Sequence, residues 1–190
     1  MFKRKCVYGL YLLLGMLVLS CSKDNDGMDG KELILKYNLA GSYSAQITPA
    51  FMGTNPVASG EHTIYFDDLG DGRLRLHFEK FQAGVMPFEM TVDIVMNVKE
   101  GPAHTVLFEG SNGTFKAEPP NGETVDPEDF PDGIQLPDGA EGGLSSTQAT
   151  ISGSYGEIEK EGQRALRYDL TLTPGIPLPI EILIYTNAKN

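Results

Sequence analysis

Phe88-Glu89-Met90-Thr91-Val92-Asp93-Ile94-Val95-Met96-Asn97-Val98 is the stretch that decides the fold. Phe88, Met90, Val92, Ile94, Met96 and Val98 alternate with Glu89, Thr91, Asp93, Val95 and Asn97, so the apolar period is two. Successive side chains of a strand point to opposite faces, and this alternation sets one buried face against one mostly polar face, as in an antiparallel sheet. A helix would need its apolar residues every three or four positions. The stretch therefore predicts a long, half-buried strand.

The same period recurs on both sides of it. Leu74, Leu76 and Phe78 alternate with Arg73, Arg75, His77 and Glu79; Leu166, Tyr168, Leu170 and Leu172 repeat the pattern, as do Leu178, Ile180, Ile182 and Ile184. Shorter candidates are 43–48, 62–66, 105–109, 114–118 and 148–155, which gives about eight or nine strands. Gly70-Asp71-Gly72 supplies residues that tolerate positive φ between two of these runs, Asn112-Gly113 is a second hairpin signal, and Glu161-Gly162 a third. Beyond Asn38 no segment has helical periodicity. Residues 31–39 are ambiguous, because Leu33, Leu35, Tyr37 and Leu39 alternate while Leu35 and Leu39 also share a helix face. The fold class expected over 39–190 is all-β, an antiparallel meander closed as a barrel or folded as a sandwich.

The first residues carry an address. Lys3, Arg4 and Lys5 form a positive flank, residues 7–19 an apolar run too short for a membrane span, and small Ser20 precedes Cys21. Leu17-Val18-Leu19-Ser20-Cys21 resembles the lipobox of bacterial lipoproteins. That resemblance implies cleavage after residue 20, a diacylglyceryl thioether on Cys21 and fatty acylation, for instance by palmitate, of the new amino terminus. Several acyl chains give a stable membrane hold where one gives only marginal binding. Residues 21–38 then read as a polar tether. Within it Ser22-Lys23-Asp24-Asn25-Asp26 resembles the acidic surface-export signal of some Gram-negative lipoproteins, and reads equally as plain linker. The implied location is the outer membrane of a Gram-negative bacterium, with display at the cell surface as the further expectation.

Charge and cysteine use narrow the chemistry. The chain of 190 residues has 15 basic and 26 acidic residues, net −11; without the leader 12 basic residues remain, net −14. Such a surface repels nucleic acid and anionic headgroups, so the expected partners are the membrane through lipid, a small apolar molecule or a surface protein, and no nucleic acid. With Cys6 cleaved away and Cys21 lipidated, thiol nucleophiles, disulfides and cysteine metal sites drop out. No G-x-S-x-G elbow, H-E-x-x-H helix or phosphate-binding glycine loop occurs. Neither catalytic residues nor a cofactor are expected. Of the three histidines, His77 falls on a polar face, His62 in phase with Ile64 and Phe66 as an inward, hydrogen-bonded residue, and His104 at a strand end.

Residues 118–143 break the strand pattern, with five prolines, five glycines, eight acids and no basic residue. This composition predicts a long exposed loop. Asp126, Asp129 and Asp132, with Glu128, Asp138 and Glu141, are the candidate calcium ligands. They lack the alternate spacing of an EF-hand, and a solvated acidic loop is the plainer reading.

Taken together, Gly41-Ser42-Tyr43-Ser44, Thr63-Ile64-Tyr65-Phe66 with its turn to Leu74-Arg75-Leu76, Phe81, the strand ending Asn97-Val98 and the closing Leu178-Pro179-Ile180-Glu181-Ile182 resemble the calycin-like β-barrel lipoproteins of Gram-negative bacteria. That resemblance implies a small antiparallel barrel behind a lipobox, with no activity to carry over. Lipocalins hold apolar ligands in the barrel mouth; their glycine-x-tryptophan motif reads Gly41-Ser42-Tyr43 here, and the chain contains no tryptophan. Phe66, Phe78, Phe88, Met90 and Met96 are the inward residues that would line such a pocket, or simply fill the core. The functional expectations are a membrane-anchored, non-enzymatic binding or accessory module, a structural lipoprotein whose filled barrel acts through its surface, or a glycan-active hydrolase.

Overall fold

The computed structural model describes residues 27–51, 56, 58–84, 86–124, 126, 137–160 and 162–187, apart from the side chains of 160 and 163. A helix α1 (Gly30–Tyr37) precedes eight strands: β1 (Gly41–Phe51), β2 (Gly60–Asp68), β3 (Arg73–Phe81), β4 (Glu89–Glu100), β5 (Val106–Glu118), β6 (Leu144–Lys160), β7 (Gln163–Thr173) and β8 (Ile180–Thr186). Each strand pairs antiparallel with the next, and β8 returns to β1, closing the barrel. Of the two architectures open to the sequence, the barrel is the one formed. Closure removes the edges a sandwich would leave.

β4 follows the alternation closely. Met90, Val92, Ile94, Met96 and Val98 are buried while Thr91, Asp93 and Val95 are partly exposed. Burial of the inward stripes is the chief stabilising term, at about 25 cal/mol per Å2 of apolar surface. On the outer wall Arg75 donates two bonds to Asp93, at 2.8 and 2.5 Å, and reaches Asp67 at 3.8 Å. His77 is on this wall too, with Nε2 3.1 Å from Asp67 and its ring stacked on Tyr65 at 5.2 Å. It is thus a polar-face histidine held by two neighbours.

Three sequence expectations need correction. Asn112-Gly113 is not a hairpin: β5 runs through it, and the two candidate strands at 105–109 and 114–118 are one. The ladders to β4 and β6 shift register there, and Asn112 adopts φ 57°. The left-handed geometry that makes a tight turn here makes a bulge, since residues on both sides keep their partners. Second, the part of the tether at 30–37 is helix. Asp29 accepts the Glu32 N–H at 2.9 Å as N-cap and Asn38 ends the helix at φ 48°, while Leu33 and Ile34 are buried and Leu35 faces solvent. Third, Leu166 is 45% exposed, because β6 and β7 continue as a hairpin past Tyr155, the last β6 residue paired to β5. Gly162, at φ 78°, turns this hairpin as its sequence suggests.

Candidate functional site

The barrel has two unlike ends. At one end α1 lies across the opening, touching β4. Here the starts of β1, β3, β5 and β7 meet the ends of β2, β4 and β8. Tyr168, fully buried, donates its hydroxyl to the Leu39 carbonyl at 2.6 Å. Tyr43 donates to the Asn38 and Leu39 carbonyls at 3.1 and 3.2 Å. These bonds satisfy carbonyls that the helix end leaves without intrahelical partners. Phe66 stacks on Tyr168 at 4.1 Å, and Phe108, Tyr155 and Tyr43 pack around that ring at 5.3, 4.8 and 5.2 Å. Burial, reinforced by Tyr43 and Tyr155, pushes the Tyr168 hydroxyl well above the ordinary phenol range. Burial likewise raises Tyr155. The aromatic plug leaves these phenols neutral and fills the space around Tyr168 beneath α1.

At the other end the described residues form an apolar rim. A hollow of about 30 Å3 is lined by Pro49, Met86, Phe88, Met90, Phe115, Ala117, Leu144, Ile176, Leu178 and Ile180. Its volume is that of about one water, against roughly 300–1,000 Å3 for a small-molecule pocket. The ends of β1, β3, β5 and β7 and the starts of β2, β4, β6 and β8 lie at this end.

The five candidate pocket residues are therefore not one site. Phe88 and Met90 line the hollow at the open end. Phe66 belongs to the aromatic plug, and Phe78 and Met96 are core residues with 1% and 0% exposure. Sequence reasoning missed Met86 and Ile176, which stand in irregular segments where no period marks them. Phe115, Ala117 and Ile180 were legible as inward positions of their strands. Pairing of Tyr43 and Tyr168 through α1 carried no sequence signal, since it joins segments far apart in the chain.

Of the metal candidates Asp126, Asp138 and Glu141 are described; Asp126 and Glu141 are exposed, and Asp138 lies at a turn. Asp129, Asp132 and Glu128 lie outside the described residues, as do Cys21 and the leader. Among the described residues no three His, Cys, Asp or Glu side chains converge as a metal site, and no helix is long and apolar enough to cross a membrane. His62 does point inward in part, with Nε2 3.0 Å from the Glu79 carbonyl oxygen, and His104 is exposed.

Fold and site together define an all-β, eight-stranded closed barrel with an aromatic cluster packed beneath α1 at one end. No family model matches the chain, and no curated protein or solved structure matches it either.

Proposed function

We propose that the chain is the folded head of an outer-membrane lipoprotein of the calycin-like type, anchored through Cys21, which works without catalysis by binding a partner protein with its open end. The observation that carries this reading is the aromatic plug beneath α1. Aromatic rings occupy the barrel below α1, and the apolar hollow at the rim, about 30 Å3, is too small for a ligand of the kind lipocalins hold. A small barrel filled by its own side chains acts through its surface.

The direction of the anchor favours the open end as the working face. The described chain starts beside α1, where the Met28 N–H bonds Glu100 at 3.1 Å, so a lipid attached at Cys21 holds the plugged end toward the membrane. The rim of Met86, Phe88, Ile176 and Leu178 then faces outward. Adaptable methionine and aromatic side chains at a rim suit protein contact.

Native mass spectrometry of the mature chain, extracted in detergent from the cell that makes it, tests the filled barrel: the expected result is the bare protein plus its lipid. A further small apolar molecule, lost on denaturation, would overturn it in favour of a ligand carrier. Labelled palmitate should enter the wild type and not Cys21→Ala; label retained in the variant would remove the anchor.

A further inference from the structure

Between β2 and β3 the barrel wall is incompletely laced. The register covers four pairs, from Asp68↔Leu74 to Tyr65↔His77, and stops there, although β2 begins at Gly60 and β3 continues to Phe81. On its other side β2 stays paired with β1 as far as Gly60↔Ile47. β3 stays paired with β4 as far as Phe81↔Met90, through a bulge between Phe78 and Phe81 in which Lys80 takes φ 55°. An extra residue in one strand bends it and ends local pairing, so the bulge turns β3 away from β2 toward the open end.

His62 stands in the gap. Its Nε2 meets the Glu79 carbonyl oxygen at 3.0 Å, and its ring lies 5.4 Å from Phe81 and 6.1 Å from Phe78. A side chain thus occupies the place where a main-chain ladder would run. Over it, on the outer wall, lies a groove of about 380 Å3 lined by His62, Thr63, Tyr65, His77, Phe78 and Glu79.

We infer that this seam is a strand-addition site for an extended peptide bearing basic side chains. Strand edges are recognised through main-chain hydrogen bonds, with grooves beside them receiving alternate side chains. The seam presents two such edges beyond the end of their mutual register, residues 60–64 and 78–81, where the Glu79 carbonyl meets His62 and the Lys80 N–H donates to Thr91 Oγ1 at 3.3 Å. Backbone N–H and C=O groups are obligatory hydrogen-bonding groups, and an extended backbone is the chemistry that completes them. Charge selects its side chains. Glu79 is exposed on one lip with Lys80 beside it, Glu61 is exposed on the facing strand, and the whole chain carries net −11, which favours a cationic partner. His62 swings out of the gap as the peptide enters. This inference rests on the partner-binding reading and adds the chemistry of the partner.

The test uses the mature full chain in detergent with a short acetylated peptide of alternating threonine and valine, lysine at each end. A twin peptide is N-methylated at every second amide, which removes main-chain donors and keeps the charge. By fluorescence anisotropy the unmethylated peptide should bind at least about tenfold more tightly than its twin. Hydrogen exchange should show new protection confined to 61–64 and 78–81, and Glu79→Gln should weaken binding a few-fold. Absence of binding, equal binding of the twin, or protection elsewhere overturns the inference. Protection at the rim segments instead would leave the partner-binding reading intact, whereas a small apolar molecule retained by the protein would overturn that reading and leave the peptide result standing.

Discussion

At the plugged end of the barrel Tyr43, Phe66, Tyr155 and Tyr168 pack ring against ring and two of their hydroxyls reach the carbonyls that follow α1; at the open end Met86, Phe88, Met90 and Ile176 surround a small apolar hollow. The strand residues at both ends follow the same two-residue period. What differs is the side chain chosen. Rigid aromatic rings with a polar tip fix one geometry when the tip is satisfied, whereas methionine fills irregular space and adapts. The barrel is braced at the end that carries α1 and compliant at the other.

The largest expected effect lies in the plug. Phe66→Ala removes the ring stacked on Tyr168 at 4.1 Å and should cost about 3–5 kcal/mol in urea unfolding. Met90→Ala at the rim should cost about 2 kcal/mol, because its neighbours can close on the hollow beside it. An equal or larger loss at Met90 would break the comparison.

Tyr168→Phe keeps the ring and deletes the hydroxyl, for an expected loss of about 1 kcal/mol, since the Leu39 carbonyl keeps Tyr43 as a donor. The pH dependence sharpens this. Tyr168 has its folded-state pKa raised above the unfolded value, so its contribution is complete below the ordinary phenol range, about pH 10, and is lost as pH rises toward the folded value. Alkaline unfolding of Tyr168→Phe should be shallower than that of the wild type. A parallel profile would mean that the buried phenol is not the titrating group.

Asp29→Ala removes the N-cap of α1 and should cost about 1 kcal/mol, with the loss seen first in the plug. The smallest effect belongs to the wall between the ends. Arg75 and Asp93 form a two-bonded pair with each side chain 42% exposed, so Asp93→Asn should cost only about 0.2–1 kcal/mol at neutral pH, and less in high salt. Hydrogen bonding to Arg75 depresses the Asp93 pKa in the fold, so this stabilisation is present above the ordinary carboxylate range and disappears as pH falls through the depressed value. Acid titration of both proteins should therefore converge at low pH.

Much of this architecture is legible along the chain because a strand with one buried face must alternate: β4 reads directly from residues 88–98. The helix is harder. α1 is eight residues long, and its Leu33 and Leu35, which alternate like a strand pair, end up on opposite sides of the burial boundary. The readable signal is the capping spacing of Asp29 and Glu32. Asn112-Gly113 misleads for a physical reason, since a left-handed residue serves a bulge as well as a turn. The candidate pocket splits because alternation says which residues face inward and nothing about how far along the axis each one sits. Phe66 and Phe88 share a face rule and occupy opposite ends.

Amide hydrogen exchange of the full chain tests the difference between the ends most directly. The account predicts that amides at 43–45, 64–66 and 168–170 exchange only through global unfolding, while those at 86–90 and 176–180 exchange through local openings at lower free energy. Equal protection at both ends, or faster exchange around Tyr168 than around Phe88, would contradict it.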